Sequence, residues 1–125
     1  MLFRSVVFLD ACFSGGARNQ SLIASRGVKI KPRTDILNGN IIVYSATSNE
    51  QSALAYNEKY HGLFTYYLLK KFKETKGNLT HGELENYLKE QVGIKSSFIN
   101  GLEQNPTIYV GNEIRNTYKT LNINN

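Results

Sequence analysis

The sequence predicts an α/β domain on a mostly parallel sheet, with only its C-terminal half carried here. Three observations predict this. First, Ser5–Leu9, residues 40–46 and Thr107–Val110 are short runs rich in β-branched and aromatic residues, and they read as strands. Second, two segments with apolar residues at i, i+3 and i+4 lie between the second and third runs and read as amphipathic helices. Third, the first run does not alternate. Val6, Val7, Phe8 and Leu9 are all apolar, as in a strand covered on both faces by helices. Such a strand needs neighbours on both edges, and only two further strands follow, so the chain reads as the second half of a domain.

The chain has 125 residues, 41% of them hydrophobic, which suits one small domain at most. No run of about 20 apolar residues occurs, so no transmembrane helix is expected. The start has one early basic residue, Arg4, and a very short apolar run, which is not a signal peptide. A single cysteine makes no internal disulfide, and a cytoplasmic location is expected. The net charge of +5 reads as solvated lysines on helix faces. No basic helix is interleaved with stacking aromatics, so neither nucleic acid nor membrane is expected as a partner.

The first strand, Ser5–Leu9, breaks at Asp10 into a turn of small residues that holds the only cysteine, Cys12, followed by Ser14-Gly15-Gly16. In open α/β sheets, ligands and chemistry gather at the carboxyl ends of strands. Cys12 is therefore either a nucleophile or a small buried hydrophobe. Asp10 is either an acid facing a ligand or one accepting backbone N–H bonds. Residues 13–39 connect to the next strand, with a short helix around 19–25. A basic loop then bears Arg26, Lys29, Lys31 and Arg33. The second strand, 40–46, leads into a polar loop over 47–60.

The first helix, 62–72, places Phe64, Tyr67, Leu68 and Phe72 on one face and stops over Glu74-Thr75-Lys76-Gly77-Asn78. The second helix opens with a capping box, Thr80 as N-cap and Glu83 at N3. Its inner stripe is Leu84, Tyr87, Leu88 and Val92, and Gly93 is expected to end it. Residues 101–106 form a turn, Thr107–Val110 a third strand, and 116–125 a polar tail expected to fray. The domain portion is accordingly 1–115.

Taken in order, four stretches carry a resemblance: Val6-Val7-Phe8-Leu9-Asp10-Ala11-Cys12-Phe13-Ser14-Gly15, Ser45-Ala46-Thr47 with Gln51-Ser52-Ala53, His61-Gly62-Leu63-Phe64-Thr65-Tyr66-Tyr67-Leu68-Leu69, and Gln104-Asn105-Pro106-Thr107-Ile108. Over about 6–110 the chain resembles the caspase-like cysteine peptidases, closest to bacterial caspase-like proteins and metacaspases. The resemblance implies a caspase-like three-layer sandwich and a cysteine endopeptidase with Cys12 as nucleophile. It implies Asp10 as the acid that pairs with a substrate Arg or Lys, and Ser45 and Gln51, with Ser48 and Glu50, beside the substrate cleft. Substrates would be proteins or peptides. No metal site or cofactor is assigned, although some metacaspases depend on calcium. In the family, many members are cut between the nucleophile strand and the next. That makes Arg26, Lys29, Lys31 and Arg33 candidate self-cleavage points.

The chain departs from the family in one respect. The family's catalytic His-Gly lies upstream of the nucleophile strand. The only histidines here, His61 and His81, lie downstream of Cys12. His61-Gly62 falls at the mouth of a helix, where the dipole disfavours the imidazolium a base must become. It reads as ordering the loop beside the cleft. His81 reads as a surface residue at a helix start. The fragment alone is expected to be inactive and to need its missing N-terminal half. The alternative is a pseudo-peptidase or interaction subunit of the same fold.

Overall fold

The computed structural model describes residues 4–10, 37–47, 55–56, 61–100 and 104–124. Elements run in the order β1 (Ser5–Leu9), β2 (Ile41–Ser45), β3 (Ala55–Tyr56), β4 (His61–Gly62), α1 (Leu63–Thr75), α2 (His81–Asn100) and β5 (Thr107–Val110), then a 3₁₀ turn, Tyr118–Thr120. The expected short helix near 19–25, the basic loop at 26–33 and the turn residues 101–103 lie outside the described residues.

The main sheet has the order β1-β2-β5. The β1 and β2 strands pair in parallel, Ser5 opposite Ile41 through Leu9 opposite Ser45. The β2 and β5 strands pair antiparallel, Ile42 opposite Val110 through Ser45 opposite Thr107. The described sheet is therefore mixed, with one parallel and one antiparallel pair. Thr107–Val110 matches the sequence reading to the residue, and β1 ends where Asp10 was expected to break it.

One face of the sheet carries the core. Register and alternation align Val6, Ile42 and Val110 in one row, and Phe8, Tyr44 and Ile108 in the next. Both rows pack against Leu63, Phe64, Tyr67 and Leu68 of α1 and Leu84, Leu88 and Val92 of α2. Phe8 stacks on Tyr44 with centroids 5.0 Å apart and meets the edge of Phe72 at 5.7 Å. On the opposite face, Val7, Leu9, Val43 and Tyr109 are half-buried.

Three sequence expectations are corrected. Residues 47–60 are not polar loop throughout: Ala55 and Tyr56 pair antiparallel with Gly62 and His61. Two residues per strand is too short for periodicity to signal. Gly93 does not end α2, which runs on to Asn100. A helix-interior Gly costs about 1 kcal/mol relative to Ala, but the buried stripe continues from Val92 to Ser96. There the Ser96 hydroxyl donates to the Gly93 carbonyl at 2.9 Å and accepts from the Gln104 amide at 3.0 Å.

The polar tail does not fray. Ile114 is buried, and Tyr118 and Ile123 pack on the core. The His81 amide donates to the Leu121 carbonyl, and the Ile123 amide to the Leu79 carbonyl, each at 2.9 Å. Gly82 allows this approach: a Cβ there would sit 2.8 Å from the Lys119 carbonyl oxygen.

Candidate active site

The carboxyl ends of the parallel strands β1 and β2 lie side by side. The Ala46 amide donates to the Leu9 carbonyl at 2.8 Å, which carries the ladder one residue past β2. Asp10 leaves β1 at this edge, half-buried. Its Oδ2 accepts a hydrogen bond from the Thr65 hydroxyl at 2.6 Å, a short charge-assisted contact.

Thr65 is the third residue of α1. The N-cap, Gly62, offers no side-chain cap, and the first turn carries no acid of its own. A helix start with unmatched N–H groups favours a nearby anion. Asp10 brings that charge from another element. The β4 pair His61–Gly62 leads directly into α1, so the hairpin, the helix start and the exit of β1 meet at Asp10.

Behind this edge the end of β2 is sealed. Ser45 is fully buried, and its hydroxyl donates to the Thr47 carbonyl at 3.1 Å. The sequence reading put Ser45 beside the substrate; the structure puts its hydroxyl inside the turn that follows β2, where the next carbonyl competes for it. Gln104, also buried, donates from Nε2 to the Ala46 carbonyl at 3.0 Å. It joins the start of β5 to the end of β2.

Cys12, Gln51, Ser48 and Glu50 lie outside the described residues, so the structure brings Asp10 and Ser45 together at one edge and leaves the others unplaced. Thr65 was missed as a partner of Asp10. It figures in the sequence only as one residue of the stretch 61–69, and nothing in its spacing from Asp10 signals the contact.

His81 is corrected outright. It is fully buried, not on the surface. It lies on the stripe of Leu84, Leu88 and Val92, at i+3, i+7 and i+11, and that spacing was the available signal. Its Nδ1 lies 2.7 Å from the Tyr44 hydroxyl, which also donates to the His81 carbonyl at 3.3 Å. The single phenol proton serves one of these two acceptors at a time, so the His81 tautomer follows which of them it takes. Nε2 has no hydrogen-bond partner among the described residues. Burial first, and then the positive charge of Arg4, pushes the imidazole down to about 4.

The same buried region holds Glu85. Its Oε2 accepts from the Tyr118 hydroxyl at 2.6 Å and its Oε1 from Lys89 at 2.8 Å. Burial alone would raise the Glu85 pKa, but these hydrogen bonds and the charges of Lys89 and Lys119 outweigh it and hold the pKa below the ordinary range. Burial, followed by the charge of Glu85, raises the Tyr44 hydroxyl pKa.

In open α/β sheets ligands bind at the carboxyl ends of the strands, and Asp10 stands at such an end. Residues 3–118, nearly the whole chain, match the family model of the caspase domain. The chain therefore belongs to the caspase-domain family of cysteine peptidases. No curated protein and no solved structure gives a match. No helix among the described residues is long and apolar enough to cross a membrane.

Proposed function

We propose that this chain carries the nucleophile and the specificity acid of a cysteine endopeptidase that cleaves after Arg or Lys. One observation carries the reading: in a chain of this family, Asp10 stands at the carboxyl end of a parallel strand and is held by Thr65 at the head of α1. Cys12 follows two residues later. Its thiolate attacks the scissile carbonyl carbon, and backbone N–H groups stabilise the oxyanion that forms. Collapse expels the amine, which takes its proton from an imidazolium. Water then hydrolyses the thioester and restores the thiol. The Asp10 carboxylate pairs with the basic side chain before the scissile bond.

This reading takes the base from outside these 125 residues, since the family's His-Gly precedes the nucleophile strand and His81 is bound to Tyr44. That commitment also favours a second reading, a pseudo-peptidase or partner subunit that never turns over substrate.

The test is alkylation of Cys12 by two peptidyl chloromethyl ketones, one ending in Arg and one in its neutral isostere citrulline. Iodoacetamide serves as the reactivity control. The Arg probe is expected to label at least roughly tenfold faster, in line with a hydrogen-bonded charge pair, and Asp10→Asn to remove the preference. Equal rates with both probes overturn the specificity. Turnover of a fluorogenic Arg peptide by the chain alone, lost in Cys12→Ala, would locate the base within the chain after all.

A further inference from the structure

We infer that Thr65 is the positioning residue for the specificity carboxylate. The inference rests on the reading of Asp10 as the acid that binds substrate Arg. A carboxylate on a strand exit has two free torsions, and an Arg fork discriminates by geometry as well as by charge. A fixed carboxylate therefore selects better than a turning one. Thr65 supplies the fixing: its hydroxyl donates to Oδ2 at 2.6 Å. The donor is itself constrained. As a β-branched residue in the first turn of α1, it has few rotamers available.

The anchoring element is rigid as well. Leu63 and Phe64, the residues just before Thr65, are buried in the core at 0% and 1% exposure. The start of α1 follows β4 without a break, and β4 pairs with β3. The hairpin and the Thr65 hydroxyl that Asp10 accepts from are thus anchored by the same turn of helix. The uncapped, acid-free first turn adds a second reason for the carboxylate to dock there, since Asp10 supplies the negative charge that the helix lacks.

Thr65 is therefore a specificity-determining residue that acts through Asp10 and does not itself touch the substrate. Removing the hydroxyl should loosen the carboxylate without removing its charge. The probe that depends on fork geometry then suffers most.

The test uses the Arg and citrulline chloromethyl ketones on the intact chain and on two variants. Thr65→Val keeps the shape and loses the donor; Thr65→Ser keeps the donor. The expected result is that Thr65→Val lowers the Arg-over-citrulline rate ratio by roughly tenfold, the scale of a hydrogen bond to a charged group. Thr65→Ser should keep most of the ratio, and the iodoacetamide rate should not change in either. A merely structural role would slow or speed all three reagents together and leave the ratio alone. A preserved ratio in Thr65→Val overturns the inference while the reading of Asp10 stands. A wild-type chain without any Arg preference overturns both. If Thr65→Val does not fold, Thr65→Ala takes its place: a ratio lowered relative to Thr65→Ser supports the inference, and a ratio kept in Thr65→Ala overturns it.

Discussion

Two polar clusters flank the same strand, β2, and they are built in opposite ways. At the carboxyl end, Asp10 sits half-buried and accepts from the Thr65 hydroxyl of α1. On the helix-covered face, Tyr44, His81, Glu85 and Tyr118 form a sealed set, with His81 fully buried and Glu85 nearly so. Residue type alone would rank the second cluster as the more catalytic, since it contains a histidine. Its geometry argues otherwise. His81 is hydrogen-bonded within the core and kept neutral by burial, so it serves packing. The acid at the strand exit is half-buried at the carboxyl end of β1 and accepts from the Thr65 hydroxyl. The difference teaches that accessibility and location on the sheet identify a site better than the inventory of side chains.

The sealed cluster is tested most sharply by pH. The unfolded chain takes up a proton on His81 below about 6.5, whereas the folded chain resists until about 4. The stability that His81 contributes is therefore complete above pH 6.5 and is lost as pH falls through that window, by roughly 3 kcal/mol. Urea titrations at pH 7.5 and pH 4.5 should show the loss, and His81→Gln should flatten it. An unchanged slope in His81→Gln would mean that the histidine is not sealed in solution.

A smaller effect is expected from Tyr118→Phe. It removes a 2.6 Å hydrogen bond to the Glu85 carboxylate and should cost about 2 kcal/mol in the same titration. The Arg-over-citrulline labelling ratio should be untouched. A fall in that ratio would join the two clusters into one unit and dissolve the comparison.

The smallest is Thr80→Ala. The capping box is complete, with the Glu83 amide bonded to Thr80 Oγ1 at 3.1 Å and the Thr80 amide to Glu83 at 2.9 Å. Its loss should lower stability by about 1 kcal/mol, read as a shift in the thermal midpoint. No shift would imply that Leu121 and Asn122, which pair with the chain at 80–81, hold the helix start without the cap.

Much of the fold was legible because it is local. The apolar run Ser5–Leu9 and its break at Asp10 set β1, Thr107–Val110 set β5, and Thr80 with Glu83 set the start of α2. The motif around Asp10 and Cys12, with the stretches downstream, was enough to point to the family that the match over 3–118 establishes. What the sequence alone settled is therefore what short-range sterics, capping and periodicity settle: where elements lie and which acid and thiol leave the first strand.

The rest required the folded chain, because it depends on contacts between distant residues. The 55-residue separation of Asp10 and Thr65 leaves no spacing to read. Nor does composition reveal that the Asn-rich end returns to pair at residues 79–81 and to cover His81. A polar segment reads as solvated until a partner surface is present. Only the tertiary structure supplies that surface, and with it decides which histidine is sealed and which acid is held at the edge.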